Sequence, residues 1–260
     1  MSKVFPTFPH SRITRDERGV YTLFIADAGP LNILGSPVMQ GLTEALQWIA
    51  RQHDARALIL RGSGERALIS GADIHEMAEL DPSGGQTFIS RLRELCDAVR
   101  AVPVPTIARI TGHCLGAGME LAAACDIRIG TFDSVYGMPE VRIGTPSVIH
   151  ALLLPALIGP GAANWLMLTG ETVDGRQALA WGFLQFACDA VQLDARIEQT
   201  ISPIVASGPR AVRSQKALLR YWEGASINDG LDHSVEVFVK ALATTEPREY
   251  MSRFLTRRRN

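Results

Sequence analysis

The chain has 260 residues, 47% hydrophobic and 20% charged, a composition that supports a large buried core and excludes a disordered chain. Twenty-six lysines and arginines against 27 acids leave a formal charge of -1. That balance argues against nucleic acid as the main partner, because phosphate binding needs a clustered basic surface. No uncharged stretch approaches the ~20 residues of a membrane span, and the opening MSKVFPTFPHSR has no apolar signal region. A cytoplasmic globular protein without membrane contact is expected. The one basic run, Arg257, Arg258 and Arg259, reads as a solvated end, and the cysteines (Cys96, Cys114, Cys125, Cys188) form no C-x-x-C pair for zinc or redox chemistry.

Residues 20–26 form a β-favouring run, stopped by the turn residues Asp27, Ala28, Gly29 and Pro30. Val38, Leu42, Leu46 and Ile49 recur at helical spacing, with Ser36 as the expected cap and Pro37 at the first position. Residues 57–60 read as a buried strand ended by Gly62-Ser63-Gly64. Phe88, Ile89, Leu92, Leu95, Cys96 and Val99 make a helical stripe that ends at Pro103 and Pro105. Residues 106–110 and 127–129 are strand-like, and CLGAGMELAAAC, residues 114–125, reads between them as a small-residue helix. Strands separated by helices imply crossover connections and an α/β class. Beyond residue 190 the strand signals stop, and residues 191–206, 210–222, 231–242 and 248–258 read helical. The chain therefore divides near residue 200, into 1–200 and 201–260.

Several motifs fail. Gly116-Ala117-Gly118 lacks the third glycine of a dinucleotide fingerprint, no phosphate-binding P-loop occurs, and His75-Glu76-Met77-Ala78-Glu79 has Glu where a zinc helix needs a second His. Ser63 and Ser70 lie in no nucleophile elbow. His113 and His150, in apolar surroundings, fit either satisfied core histidines or an active-site role.

Two carboxylates remain. Glu120 is the only charged residue in 114–125. A buried carboxylate there is paired, with an arginine such as Arg109 or Arg128, or protonated, or a general acid or base tuned by burial. Glu140 follows Gly137-Met138-Pro139 and is expected on a loop, where chemistry is commonly carried. Around Ser70-Gly71-Ala72-Asp73-Ile74 a strand-to-helix transition leaves backbone N–H groups free, and Gly116-Ala117-Gly118 offers a second set. If they converged, they would form an oxyanion hole.

At these residues the sequence resembles the enoyl-CoA hydratase/isomerase, or crotonase, superfamily. The resemblance is carried by GERALISGADIHEM (64–77), PTIARITGHCLGAGMELAAACDIRI (105–129), YGMPEVRIG (136–144), LTGETVDGRQALAWGFL (168–184) and EPREYMSRFLTRRR (246–259). It implies a spiral of ββα units, with a C-terminal helical segment, residues 201–260, that builds trimers, often paired into hexamers. It also implies an acyl-CoA thioester as substrate, with no separate cofactor or metal. Its hydratases carry two catalytic glutamates, which match Glu120 and Glu140, and an oxyanion hole that matches the backbone N–H groups of Ala72 and Ala117. Ser70, Gly71, Asp73 and Ile74 flank Ala72 and are the expected substrate-binding residues. Hydration of the 2,3 double bond is the expected reaction. Double-bond isomerisation, which in this family works with one acid at the position of Glu140, is the alternative, and a non-catalytic acyl-CoA-binding scaffold the third reading. Three departures bear on substrate: residues 144–150 lack the family's glycine-rich stretch and are expected to line the acyl pocket, Met138 replaces a common Gln, and His75 a common Lys.

Overall fold

A computed structural model describes residues 5–257; residues 1–4 of the amino-terminal reading, and Arg258 and Arg259 of the basic run, lie outside the described residues. A hairpin opens the fold, β1 (Ser11–Arg15) antiparallel to β2 (Val20–Ile25). Gly19 turns it at φ +85, where a side chain would also strike the Asp54 carbonyl. Helix α1 (Ser36–Ala50) then buries Val38, Met39, Leu42, Leu46 and Ile49. Ser36 is not its cap: Gly35 takes that position, and the Ser36 N–H and hydroxyl both donate to the Glu76 carboxylate.

From here the chain repeats one pattern. β3 (Ala57–Gly62) and β4 (Ala67–Ile69) precede α2 (Ile74–Ala78) and α3 (Pro82–Ala101). β5 (Thr106–Ile110) and β6 (His113–Leu115) precede α4 (Ala117–Ala124). β7 (Ile127–Thr131) and β8 (Val135–Gly137) lead into two 3-10 turns, Pro139–Ile143 and Ile149–Leu153, and the helices α5 (Leu154–Ile158) and α6 (Pro160–Thr169). β9 (Thr172–Asp174), α7 (Gly175–Ala180) and β10 (Phe186–Cys188) complete the sheets. The first strand of each unit joins a six-stranded sheet of order β1-β2-β3-β5-β7-β10, and the second joins a four-stranded sheet of order β4-β6-β8-β9. Both sheets grow in chain order, so the path is a spiral of ββα units.

The short second strands escape a periodicity reading because three residues hold no period. Thus the run 114–125 is split: His113–Leu115 is strand, Gly116 turns at φ +51, and the helix starts at Ala117. β5 is buried at every position, as a central parallel strand covered on both faces must be. One core fills the space among α1, α3, α4 and the sheets. On the other face of the larger sheet, Leu193, Ile197 and Ile201 pack onto Val20, Ala57, Ile107 and Ile129.

After β10 the described chain is helical: α8 (Leu193–Ala206), α9 (Pro209–Trp222), α10 (Ile227–Leu242) and α11 (Glu246–Arg257). Cations tie α9 to the strands. Buried Lys216 donates to the Val104 carbonyl at 2.9 Å and to Asp126 at 2.7 Å, and Arg213 donates to the Ala55 carbonyl at 2.8 Å. Among the described residues no helix is long and apolar enough to cross a membrane.

The closest approach of α4 to β4 depends on Gly118, where a Cβ would overlap the Ile69 carbonyl oxygen. That oxygen belongs to backbone and cannot swing away. Gly118→Ala is therefore expected to cost about 1–3 kcal/mol, read as a fall in Tm of ~2–4 °C for each kcal/mol by calorimetry; an unchanged Tm would refute this packing.

Candidate active site

Three successive parallel strands of the smaller sheet, β4, β6 and β8, end at the same edge and each hands the chain to a loop or helix carrying an expected site residue. Ligand sites in parallel sheets characteristically sit beyond such carboxyl ends.

After β4, Ser70 to Asp73 form a short link to α2, and Gly71 adopts φ +123. The link is held by the backbone of Leu34: its N–H donates to the Gly71 carbonyl at 3.0 Å, and its carbonyl accepts from the Asp73 N–H at 3.0 Å. The Ser70 N–H donates to the Leu31 carbonyl at 3.0 Å. The Asp73 carboxylate caps α2, accepting from the His75 and Glu76 N–H groups. Ile74 is 55% exposed, and His75 is exposed too. The Ala72 N–H donates to no group among the described residues.

After β6, Gly116 turns the chain into α4. The Ala117 N–H, in the first turn of that helix, likewise donates to no group among the described residues. The Leu115 carbonyl lies against Gly71, so the two links carrying Ala72 and Ala117 run side by side. All eight residues of α4 are buried, Glu120 at 3% exposure.

After β8, Pro139 starts the 3-10 turn that carries Glu140. Its carboxylate lies where a Gly116 side chain would stand, at the amino end of α4, the end of a helix that favours negative charge. The Ser147 hydroxyl donates to Glu140 Oε2 at 2.7 Å. Met138 is fully buried, a core residue.

Neither arginine pairs with Glu120. Arg109 binds Asp194 at 2.6 Å and Glu65 at 2.8 Å, and Arg128 donates to the carbonyls of Phe183 and Cys125 at 2.6 and 2.8 Å. Instead Glu120 Oε2 accepts from the backbone N–H groups of His150, at 2.8 Å, and Ala151, at 3.2 Å. Burial, with the negative charge of Glu140 next, pushes the Glu120 carboxyl up to about 8; the two amides work against this. The shift favours the protonated form of Glu120.

Residues 144–150 thus reach both glutamates, one through the Ser147 hydroxyl and the other through the amide that follows Ile149. Ile149 has φ +41, a left-handed conformation that β-branched residues rarely take and that costs on the order of 1–3 kcal/mol. Ser147, Ile149 and the His150 and Ala151 amides are the site residues that sequence reasoning missed. The absent glycine-rich stretch was the available signal, since it marks a turn built differently. His150 itself is 8% exposed, and its Nε2 lies 3.2 Å from Asp97 Oδ1 on α3. Half-buried His113, on β6, touches neither glutamate in any hydrogen bond. A cavity of about 1030 Å³ lies beside His150, lined by His150 itself, Ile149, Leu153, Leu157, Arg93, Arg220 and others, but not by Glu120, Glu140, Ala72 or Ala117.

Residues 15–260 match the family model described as enoyl-CoA hydratase/isomerase. The chain belongs to this family. It is 32% identical over 254 residues to a probable enoyl-CoA hydratase of Mycobacterium tuberculosis, with 97% of each chain covered. It is 28% identical to a crotonyl-CoA hydratase of Syntrophomonas wolfei, with 95% of each covered. Among solved structures, an enoyl-CoA hydratase of Mycobacterium smegmatis superposes with a TM-score of 0.92 at 29% identity, covering 96% of this chain and 97% of that one. DspI of Pseudomonas aeruginosa superposes with a TM-score of 0.92 at 26% identity, covering 99% and 98%. The ββα spiral is thus the crotonase fold of the enoyl-CoA hydratase/isomerase family.

The raised Glu120 carboxyl has a consequence for stability. Because the folded chain binds this proton more tightly than the unfolded one, the stability it brings is full below the ordinary value of 4.5 and is lost as pH rises through about 8. Glu120→Gln removes that loss. The Tm of the variant relative to the parent should therefore climb between about pH 5 and pH 8 and level off above it in a calorimetric series; a constant difference would mean that Glu120 is not a buried acid.

Proposed function

We propose that the chain is an enoyl-CoA hydratase, adding water across the 2,3 double bond of an acyl-CoA thioester. The observation that supports this best is the pairing of two carboxyl groups from separate repeats, Glu120 on its two amides and Glu140 beside Gly116, next to two undirected backbone N–H groups. The relatives named as hydratases support the same reading.

In this reading the thioester oxygen accepts from the Ala72 and Ala117 N–H groups, and negative charge that builds there as Cβ is attacked is stabilised by both donors and by the amino end of α4. Removing one such donor typically costs about 2.7–4 kcal/mol in the barrier. Water forms the new C–O bond at Cβ while one carboxyl of the pair takes its proton. The other carboxyl delivers a proton to Cα. The electron pair of the double bond moves onto the thioester as an enolate and returns to bind that proton. Two nearby carboxyls do not both ionise freely, so the pair keeps one proton to give, and a proton passing between them restores the start. Ser70, Gly71, Asp73 and Ile74 would flank the thioester, and residues 144–150 the acyl group. Every step uses the chain's own groups, with coenzyme A as part of the substrate.

One observation favours isomerisation: Glu120 is almost wholly buried, whereas Glu140 is half-exposed and could shuttle a proton alone. A panel of short, long, branched and aromatic enoyl-CoA thioesters decides. The expected result is a 3-hydroxyacyl product whose formation falls by about 10²-fold or more in both Glu120→Gln and Glu140→Gln. Isomerised product that survives Glu120→Gln would establish the alternative, and acyl-CoA binding without any product would leave only a scaffold.

The assembly proposed is a homotrimer or hexamer. Ile227, Leu231, Val235, Phe238 and Leu242 fall on one stripe of α10 and are all exposed in the single chain. Sedimentation should give a trimer or its double, and Phe238→Glu should shift the mass towards the monomer; a monomeric parent chain would refute the assembly.

A further inference from the structure

Glu120 owes its two hydrogen bonds to backbone, and backbone donors are only as well placed as the turn that carries them. That turn has two unusual features. Ile149 holds φ +41 although it is β-branched and the residue before it, Val148, is extended. Nothing in the local sequence favours this conformation, so something outside the turn must hold it. His150, the next residue, is buried, and its ring reaches away from Glu120 to α3, with Nε2 3.2 Å from Asp97 Oδ1.

We propose that the Ile149–His150 turn is a positioning device for Glu120, in which the His150 ring, latched to Asp97, keeps the Ile149 backbone in its strained form and so keeps the His150 and Ala151 N–H groups aimed at Glu120 Oε2. His150 and Asp97 are positioning residues that act through the backbone and touch no reacting atom. The charged groups facing the latch are Arg93, Asp97 and Arg100 on α3 and Arg220 on α9, and burial pushes the His150 imidazole below its ordinary range. A neutral ring suits the latch. Its Nε2 lies 3.2 Å from Asp97 Oδ1, and with the ring proton on Nε2 the buried Nδ1, which has no hydrogen-bond partner among the described residues, is a bare lone pair rather than a stranded donor. Asp97 is itself held on α3 by Arg93, whose Nε lies 3.4 Å from Oδ2. Facing Glu120 are the Glu140 carboxyl and the Cys96 thiol of α3.

The bearing of the device on turnover rests on the role proposed above for Glu120, so its test reads the carboxyl directly. The Glu120 titration is followed by infrared difference spectroscopy of the full-length protein, with Glu120→Gln as the blank. The two amides stabilise the charged form, so loosening them raises the midpoint. His150→Ala should raise it by about one pH unit, Ile149→Gly, which takes the left-handed form without strain, should leave it near the parent value and blunt the effect of His150→Ala, and His150→Gln, whose amide N–H can still reach Asp97, should restore the parent midpoint. Should His150→Ala fail to fold, Asp97→Ala, which removes the acceptor at a half-exposed site, makes the same test. A midpoint unmoved in folded His150→Ala or Asp97→Ala overturns the device. If the midpoint moves while Glu120→Gln still hydrates thioesters normally, the device stands and the catalytic reading of Glu120 falls.

Discussion

Everything at this site follows from placing a carboxyl group inside an apolar helix of small residues. Buried with Ala117, Gly118, Met119, Leu121 and three further alanines, Glu120 is almost wholly removed from solvent, and no arginine among the described residues pairs with it. The protein meets that cost partly with a proton and partly with two backbone amides. A salt bridge would have fixed the charge for good. Amides only bias it, leaving a group that can still give or take a proton near neutral pH, which is what acid–base chemistry requires.

The small residues of α4 serve the same end. They let the helix press onto β4 so closely that only glycine fits at 118, and this brings the Ala117 end of α4 alongside the link that carries Ala72. Glycine at 116 does a second job, since any side chain there would occupy the space of the Glu140 carboxylate. Packing and chemistry are therefore one constraint: residues that look like filler in CLGAGMELAAAC are what allow two carboxyls and two amides to share one edge of the sheet.

Much of this was legible in the sequence. The long amphipathic helices, the central strands and the helical end showed in their periodicity, and Glu120 stood out as the lone charge in an apolar run. The resemblance to the crotonase superfamily supplied what spacing could not, the expectation that residues as distant as 72, 117, 120 and 140 belong to one site. What stayed hidden has a common physical cause. Strands of three residues, such as β4 and β8, carry no period. The partners of Glu120 are main-chain N–H groups, which every residue but proline has, so no side-chain type announces them. The fates of Arg109 and Arg128, one bound to Glu65 and Asp194 and the other to carbonyls, depend on tertiary neighbours far away in the chain. The left-handed Ile149 is a case where local preference points the wrong way and its surroundings overrule it.

The spiral path also separates what can change from what cannot. Each turn of the spiral delivers one part of the proposed site at the same edge: the first amide after β4, the second amide and Glu120 after β6, Glu140 after β8. A lineage could rewrite the segment after β8, exchanging its acid, its hydroxyl support or its turn, while the two amides inherited from the earlier turns keep their place. Such a scaffold can change its chemistry one coil at a time, and residues 144–150, which reach both glutamates, are the coil where a change would tell most.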